Sequence, residues 1–427
     1  MNRPVIYLDD LFRPTFGMKQ RNYFDHFQAI FERAFGLSVQ SPRWEPEKST
    51  YFSLNDLYKE IDFSPEETSY WVDIWFRGDE LVKKFLGERL PKGVIVLLHE
   101  VAPWMTDFFT EKSIMFIEAK TSNIRFTHDV PIMISTNIPD LARIIHDKYL
   151  YGDLDIRFEA RMLRALIRNR FNFKGTNTKF GPYKHKLVYI GQNHDDSSII
   201  IDKKGRRGSF AQLEEFLEPI LLLMKDYKGL IYQKHPSANI NHVRKQAQLL
   251  NSLARKDFML GNELLYHVYA LAEDIRAIGL SSGGLIEAPF FGQPSTLLLE
   301  NPFESYYSDE KGVARYLNLR AKHFLSPGFW QEALGDILEP LVPFTETGLF
   351  GTDSFRIRHN INYNYSKIIS QNSELQRDIL RIFNLESLPA RLTELEKKGV
   401  DPRKSFFGEV KQKFINNLKR LRNKGSN

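Results

Sequence analysis

Apolar positions along the first part of the chain keep two periods in turn. Short apolar runs at 5–8, 93–99 and 113–119 have the length of buried strands. Residues 22–35 carry Phe24, Phe27, Ile30, Phe31 and Ala34 at helical spacing, and Gly36 supplies a stop. Helical spacing returns at 80–86, 140–149 and 155–169, the last with Phe158, Met162, Ala165 and Leu166 on one face. This order predicts an α/β domain. Residues 172–183, rich in Gly, Asn, Thr and Lys, read as a linker.

The alternation is cleaner beyond it. Strands are predicted at 186–191, 229–233, 257–260, 275–280 and 294–299. Helices are predicted at 210–225, 242–253 and 263–272, and from 285 to 291. That pattern predicts a doubly wound parallel sheet with crossover helices. Ligands of such sheets sit outside the carboxyl ends of the strands. After about 345 come loops, then helices at 373–383 and 388–398, then a basic tail. No internal repeat of fixed period is visible.

Composition narrows the classes. The chain has 427 residues, 42% hydrophobic, 26% charged and 13% aromatic, which excludes disorder, collagen and low-complexity folds. At roughly 150 residues per domain, two or three domains are expected. There is no cysteine. That removes disulfides, thiolate zinc sites, iron–sulfur clusters and a Cys nucleophile, and it fits a reducing compartment. The start lacks the pattern of a signal peptide. No run approaches the roughly 20 apolar residues that span a bilayer.

The net charge is +6. Lys404, Lys411, Lys413, Lys419, Arg420, Arg422 and Lys424, against Glu409 alone, account for the whole excess. The body is therefore near neutral, and no nucleic-acid partner is expected. In the tail, Phe407, Val410, Phe414, Leu418 and Leu421 repeat at helical spacing among those basic residues. Such a helix suits an anionic membrane surface; docking on its own protein is the alternative. The expected location is cytoplasmic, peripheral on the inner face of the cytoplasmic membrane.

Three loops carry candidate chemistry. Gly191-Gln192-Asn193-His194-Asp195-Asp196-Ser197-Ser198 follows a strand directly. Adjacent carboxylates there point in different directions, so one of them can face a cleft as base or nucleophile; a solvated turn or helix cap is the plain alternative. In Gln233-Lys234-His235-Pro236 the proline restricts His235 to extended backbone at a strand end, which would hold an imidazole over the cleft. In Ser281-Ser282-Gly283-Gly284-Leu285-Ile286-Glu287, hydroxyls and glycines between strand and helix form an anion nest. Glu287, one turn further, could accept from ribose hydroxyls. The spacing is neither Gly-x-Gly-x-x-Gly nor a P-loop.

Together these loops resemble the GT-B-fold β-Kdo transferases of bacteria, both the capsule lipid-anchor and the O-antigen-terminating enzymes, and more distantly bacterial sialyltransferases. The capsule enzymes carry Gln-Val-Glu-Asp-Asp where this chain has Gln192-Asn193-His194-Asp195-Asp196, and Lys-Pro-His-Pro where it has Gln233-Lys234-His235-Pro236. Their Ser-(Ser/Thr)-x-x-Gly-Phe-Glu-Ala element is matched by Ser281-Ser282-Gly283-Gly284-Leu285-Ile286-Glu287-Ala288, with Gly292-Gln293-Pro294 and Pro302-Phe303 following. The resemblance spans residues 186–310.

It implies two Rossmann-like domains facing a cleft: residues 1–184 for the acceptor and 185–340 for the nucleotide sugar. Helices at 341–400 would pack back on the first domain, and the tail occupies 401–427. It implies a CMP-Kdo donor, a glycan or lipid-linked acceptor, and a retaining double displacement without a metal or other cofactor. Asp196 is the preferred nucleophile, because it keeps the spacing from Gln192, and Asp195 is the second choice. Ser281, Ser282, Gly283 and Lys234 would hold the phosphate, Glu287 the ribose, and His235 would assist departure of CMP. Glu118, with Arg125 beyond it, is the acceptor-side base; His99-Glu100 and His128-Asp129 compete with it. Asp153-Leu154-Asp155 resembles a metal-binding Asp-x-Asp but lies between helices, and reads as a helix start with Asp155 as cap. The rival readings are an inverting sialyl transferase, a CDP-polyol phosphotransferase and a non-catalytic glycan-binding protein.

Overall fold

The computed structural model describes residues 3–13, 18–64, 68–173, 177–202, 208–235, 238–254, 257–261, 263–300, 306–308 and 313–341. Pro236, Pro302-Phe303, the helices expected at 373–383 and 388–398 and the basic tail lie outside them. In chain order the elements begin with β1 (Val5–Asp9), α1 (Met18–Phe35), β2 (Val39–Gln40), α2 (Leu54–Glu60), α3 (Thr68–Ile74) and α4 (Glu80–Arg89). Then come β3 (Ile95–His99), α5 (Pro103–Glu111), β4 (Met115–Thr121), β5 (Pro131–Thr136), α6 (Pro139–Ile144) and α7 (Asp153–Phe173). The second half has β6 (Leu187–Ile190), the hairpin β7 (Ile200–Ile201) and β8 (Ser209–Phe210), α8 (Leu217–Met224), β9 (Leu230–Gln233) and α9 (Ile240–Ala254). It continues with β10 (Phe258–Gly261), α10 (Leu265–Leu271), β11 (Arg276–Gly279), α11 (Gly283–Glu287) and β12 (Ser295–Leu297). Last come β13 (Tyr306–Ser308), β14 (Val313–Arg320), α12 (Ala321–Phe324) and α13 (Pro327–Leu334).

The fold is mixed α/β on two main sheets. The first has the order β13-β14-β5-β4-β3-β1-β2. Its β2, β1, β3 and β4 are parallel, while β5, β14 and β13 add antiparallel pairs. Helices cover both faces, so its central strands are apolar at consecutive positions. Tyr7, Leu97, Ile117 and Ile134 face one layer with Phe27, Phe31 and Trp330. Leu8, Leu98 and Phe116 face the other with Trp71, Phe85 and Phe109. Helix α1 ends where Gly36 takes φ +67°, a backbone conformation that costs glycine little.

The second sheet is fully parallel, in the order β10-β9-β6-β11-β12. Numbered within this half, that is 3-2-1-4-5, the order of a Rossmann-like sheet, with its switch point between β6 and β11. Leu187, Tyr189, Leu230 and Tyr232 pack against Ile220, Val243 and Leu250.

The structure corrects three organisational expectations. The second half stops at about residue 300 rather than 340: β14 pairs with β5, Ile134 opposite Leu317, and Trp330 of α13 fits between Phe27 and Phe31. The expected linker is helix α7 as far as Phe173, followed by a 3-10 helix at Asn177–Tyr183. Helix α7 starts at Asp153, so Asp155 lies inside the first turn rather than at the cap. Residues through Tyr363 fall in one compact unit that contains both sheets. Among the described residues no helix is long and apolar enough to cross a membrane.

Candidate active site

All three motif loops leave the carboxyl ends of strands in the second sheet. β6 ends at Ile190 and β11 at Gly279, on either side of the switch point. Glycine is required at Gly279 by close approach, since a Cβ there would lie 2.7 Å from the Ile190 carbonyl oxygen. The loops are then stitched together. Gln192 is buried; its Nε2 donates to Ser198 Oγ at 2.6 Å and to Ser281 Oγ at 3.1 Å. Its Oε1 accepts from the Ser281 backbone N–H at 3.1 Å. Ser281 Oγ in turn donates to the Ser198 carbonyl at 2.8 Å. One glutamine thus locks the β6 loop to the β11 loop across the switch point.

That lock sets the direction of Asp196. Its Oδ1 accepts from Ser198 N at 2.9 Å and Ser198 Oγ at 2.8 Å, capping the short 3-10 turn Ser197–Ile199. The next residues, Ile199 and Ile200, are buried. Ile200 joins the core layer of the first sheet, and Phe210 of the same hairpin packs at a tilt against Trp71. The loop is therefore pinned at both ends. Asp195 is exposed, 3.9 Å from His194 Nδ1, and the His194 ring packs at a tilt against His242 of α9. The two adjacent acids thus have different partners, Ser198 for Asp196 and His194 for Asp195.

His235 follows β9 and is half-buried. Burial holds its imidazole below the ordinary range; Asp196 acts to raise it and Arg125 to lower it. Both charged groups are therefore within electrostatic reach of the ring. Lys234 is exposed, and Ser282 is buried. Gly283 faces Asn123 of the first half, whose backbone oxygen would be 3.4 Å from an added Cβ.

Glu287 has a different place from the one expected. It is buried, accepts from the Arg125 backbone N–H at 2.6 Å, and takes the Tyr266 hydroxyl at 2.9 Å on each oxygen. A carboxylate so occupied anchors the loop after β4 onto α11; it is not open to a ribose. Burial pushes this carboxyl up to about 7, against N–H donors and Tyr266 that act to lower it. The folded protein therefore holds this proton more tightly than the unfolded chain does. The group's stability contribution is full below its ordinary value of 4.5 and is lost as pH climbs towards about 7. At about 1.4 kcal/mol per tenfold in proton affinity, the loss is a few kcal/mol. Glu287→Gln should therefore flatten the fall in thermal midpoint between pH 5 and pH 8. Parallel curves for the variant and the parent would refute this.

On the first sheet, Glu118 is in the wrong place for an acceptor-side base. It is fully buried on β4 and ion-paired to Lys120 Nζ at 3.1 Å; Lys120 donates to Tyr316 Oη at 2.7 Å. Of the competitors, Asp129 is buried and accepts from Lys322 N at 3.4 Å, and the backbone of His128 is tied to Glu159. Glu100 is different. It stands at the end of β3 with φ +48°, its carboxylate part-exposed and 3.6 Å from Arg13. Strained backbone of this kind clusters at functional sites. Its neighbour His99 accepts no solvent: the ring is buried, bonded to the Ala119 carbonyl at 2.7 Å and stacked on Tyr23. Burial raises the Tyr23 phenol; Thr121 and Arg125 act to lower it, and Glu100 to raise it. Arg125 thus acts on Tyr23 of the first half and on His235 of the second.

Sequence reasoning missed Tyr23, Arg13 and Ser198. Ser198 had a signal, as the second hydroxyl after paired acids; Tyr23 in a Phe-rich helix face had none. Asp153 and Asp155 pair with Arg157 and Arg320. Among the described residues no group of three or more His, Asp or Glu side chains is placed to hold a metal ion.

No family model matches the chain, and no curated protein matches it. Among solved structures it is similar to KpsC of Thermosulfurimonas dismutans, a β-Kdo 2,7 transferase, with 12% identity and a TM-score of 0.34. The match covers 73% of this chain and 96% of that one. A likeness of that degree carries nothing about donor or acceptor.

Proposed function

We propose that this chain is a glycosyltransferase of GT-B type that moves Kdo from CMP-Kdo to a bacterial surface-polysaccharide or lipid-linked acceptor, with retention. The observation that carries the reading is Asp196, held by Ser198 in a loop that Gln192 locks across the switch point of a Rossmann-like sheet, within electrostatic reach of His235. With Oδ1 held by Ser198, Oδ2 is the attacking atom. It would form a bond to the anomeric carbon as the bond from that carbon to the phosphate oxygen breaks and CMP leaves with the electron pair. His235, largely neutral before the donor arrives, would give a hydrogen bond to the departing phosphate, whose charge favours its protonation. Ser282, Gly283 and Lys234 would face that phosphate; Ser281, first given the same role, has its N–H on Gln192 and its hydroxyl on the Ser198 carbonyl, and holds the loop instead.

In the second displacement the acceptor oxygen would replace Asp196 on the anomeric carbon and restore the carboxylate. The acceptor proton would pass to Glu100, which takes the role first given to Glu118. Action from the inner face of the cytoplasmic membrane belongs to the same reading.

The test is intact mass after incubation with CMP-Kdo alone. The expected result is one Kdo added to the protein and CMP released. Water is then the sole acceptor, and Glu100→Gln should slow decay of the adduct by about a hundredfold, the scale of a lost general base. Release of CMP from CMP-sialic acid with no adduct would overturn the reading in favour of an inverting transferase. An adduct that decays at the parent rate in Glu100→Gln would remove Glu100 from it.

A further inference from the structure

Helix α7 has two apolar stripes, and the one packed inside is not the one that the sequence spacing singles out. Ile156, Ala160, Leu163 and Ile167 are buried against the rest of the protein. Leu154, Phe158, Met162 and Leu166 stand in solvent at 85%, 65%, 52% and 56% exposure, and Ala165 beside them is also exposed. With 100° per residue, the exposed set spans about a third of the helix circumference, opposite the buried set.

A row of arginines borders this stripe along one side. Arg157, Arg161 and Arg168 are exposed on it, with Arg164 half-buried behind them. From Ala160 to the end of the helix there are four arginines and no acid. On the other side, Asp155 and Glu159 are already drawn to Arg320; Asp153, on the arginine side, pairs with Arg157. Two arginines of the row also hold the helix in place. Arg168 Nε donates to the Ala270 carbonyl, and Arg157 lies over the Phe290 ring.

We propose that this face of α7 is a docking surface for an anionic membrane, with Leu154, Phe158, Met162 and Leu166 entering the headgroup boundary and the arginine row meeting lipid phosphates. An exposed apolar stripe with a cationic border, on a rigid helix, matches the chemistry of interfacial helices. The charge argues against a second copy of the chain: pairing two such faces would bring two arginine rows together, with the acids of α7 already engaged. The proposal needs only α7, so it stands apart from the transferase reading.

The chain has no cysteine, so a single thiol can be placed and labelled without a competing site. In the full chain, Met162→Cys and Phe158→Cys variants carrying an environment-sensitive fluorophore should brighten and shift to the blue with phosphatidylglycerol-rich vesicles. Spin-labelled lipid should quench them. The same label on Glu218→Cys, exposed on α8, should stay unchanged. Phe158→Ser with Met162→Ser should lower vesicle partition about tenfold, and Arg161→Gln about fivefold. Vesicle binding with a silent label on α7 would overturn the proposal, since another part of the chain would then carry it. So would no binding to anionic vesicles, or a label that responds to protein concentration alone as a dimer appears in sedimentation.

Discussion

Asp196→Ala should abolish the Kdo adduct and lower CMP-Kdo turnover by about ten-thousand-fold, the scale of losing one member of a covalent catalytic group, or about 5.5 kcal/mol of barrier. Asp195→Ala should stay within a few-fold of the parent. The two residues are adjacent, so the contrast rests on geometry alone. Asp196 is fixed by two bonds from Ser198, and that loop is held to Ser281 through Gln192. Asp195 is exposed beside His194, with no comparable restraint among the described contacts. Ordering a side chain before reaction is a large part of what a nucleophile contributes. Intact mass and CMP release, run side by side on the two variants, check it. A reversed pattern would keep the donor and move the nucleophile; equal activity in both would leave the adduct without a residue to carry it.

Lys120→Met should destabilise the fold by about 3–5 kcal/mol, because it strands the Glu118 carboxylate inside the protein. Glu118 is wholly buried and Lys120 nearly so. Burial opposes the lysine's charge, yet Glu118 and Tyr316 hold its proton well above the ordinary range. The charge is therefore kept because of its partners. Glu118→Gln combined with Lys120→Met should recover most of the loss, since it removes both buried charges together. Urea unfolding of the single and double variants at neutral pH measures the difference. If Glu118→Gln unfolded like the parent but lost the adduct's decay, Glu118 would return as the base and the ion pair would be incidental.

The α/β layers were readable from the chain because their strands are buried on both faces, and continuous runs such as those at β1, β3 and β6 then mark them. Partner choice among elements was not. Strand β14 carries Arg315, Asn318 and Arg320, and its Tyr316 takes φ +56° at a bulge opposite β5; no period-2 pattern survives there. Helix α7 failed in the opposite way, since two stripes satisfy the same period and spacing cannot say which one finds a neighbour. What residue type and strand end made legible in the candidate site was the meeting of its loops: Gln192 bonds to Ser198 and Ser281 across the switch point, and Ser198 holds Asp196. The site was not legible where side-chain direction decides. Glu118 lies on a strand as expected, but one residue's parity sends it into the core, while Glu100, just after β3, carries its signal in a backbone angle.

Residues 306–338 close the first sheet after the chain has built the second. In chain order the five-stranded half is inserted within the seven-stranded one. On the ribosome the order of completion is reversed from the order of synthesis. The parallel sheet has all its strands once β12 has emerged, whereas the edge of β5 and the aromatic face of α1 stay unpaired until β14 and Trp330 arrive. A chain cut between β12 and β14 therefore keeps a finished second sheet and an open, sticky first one.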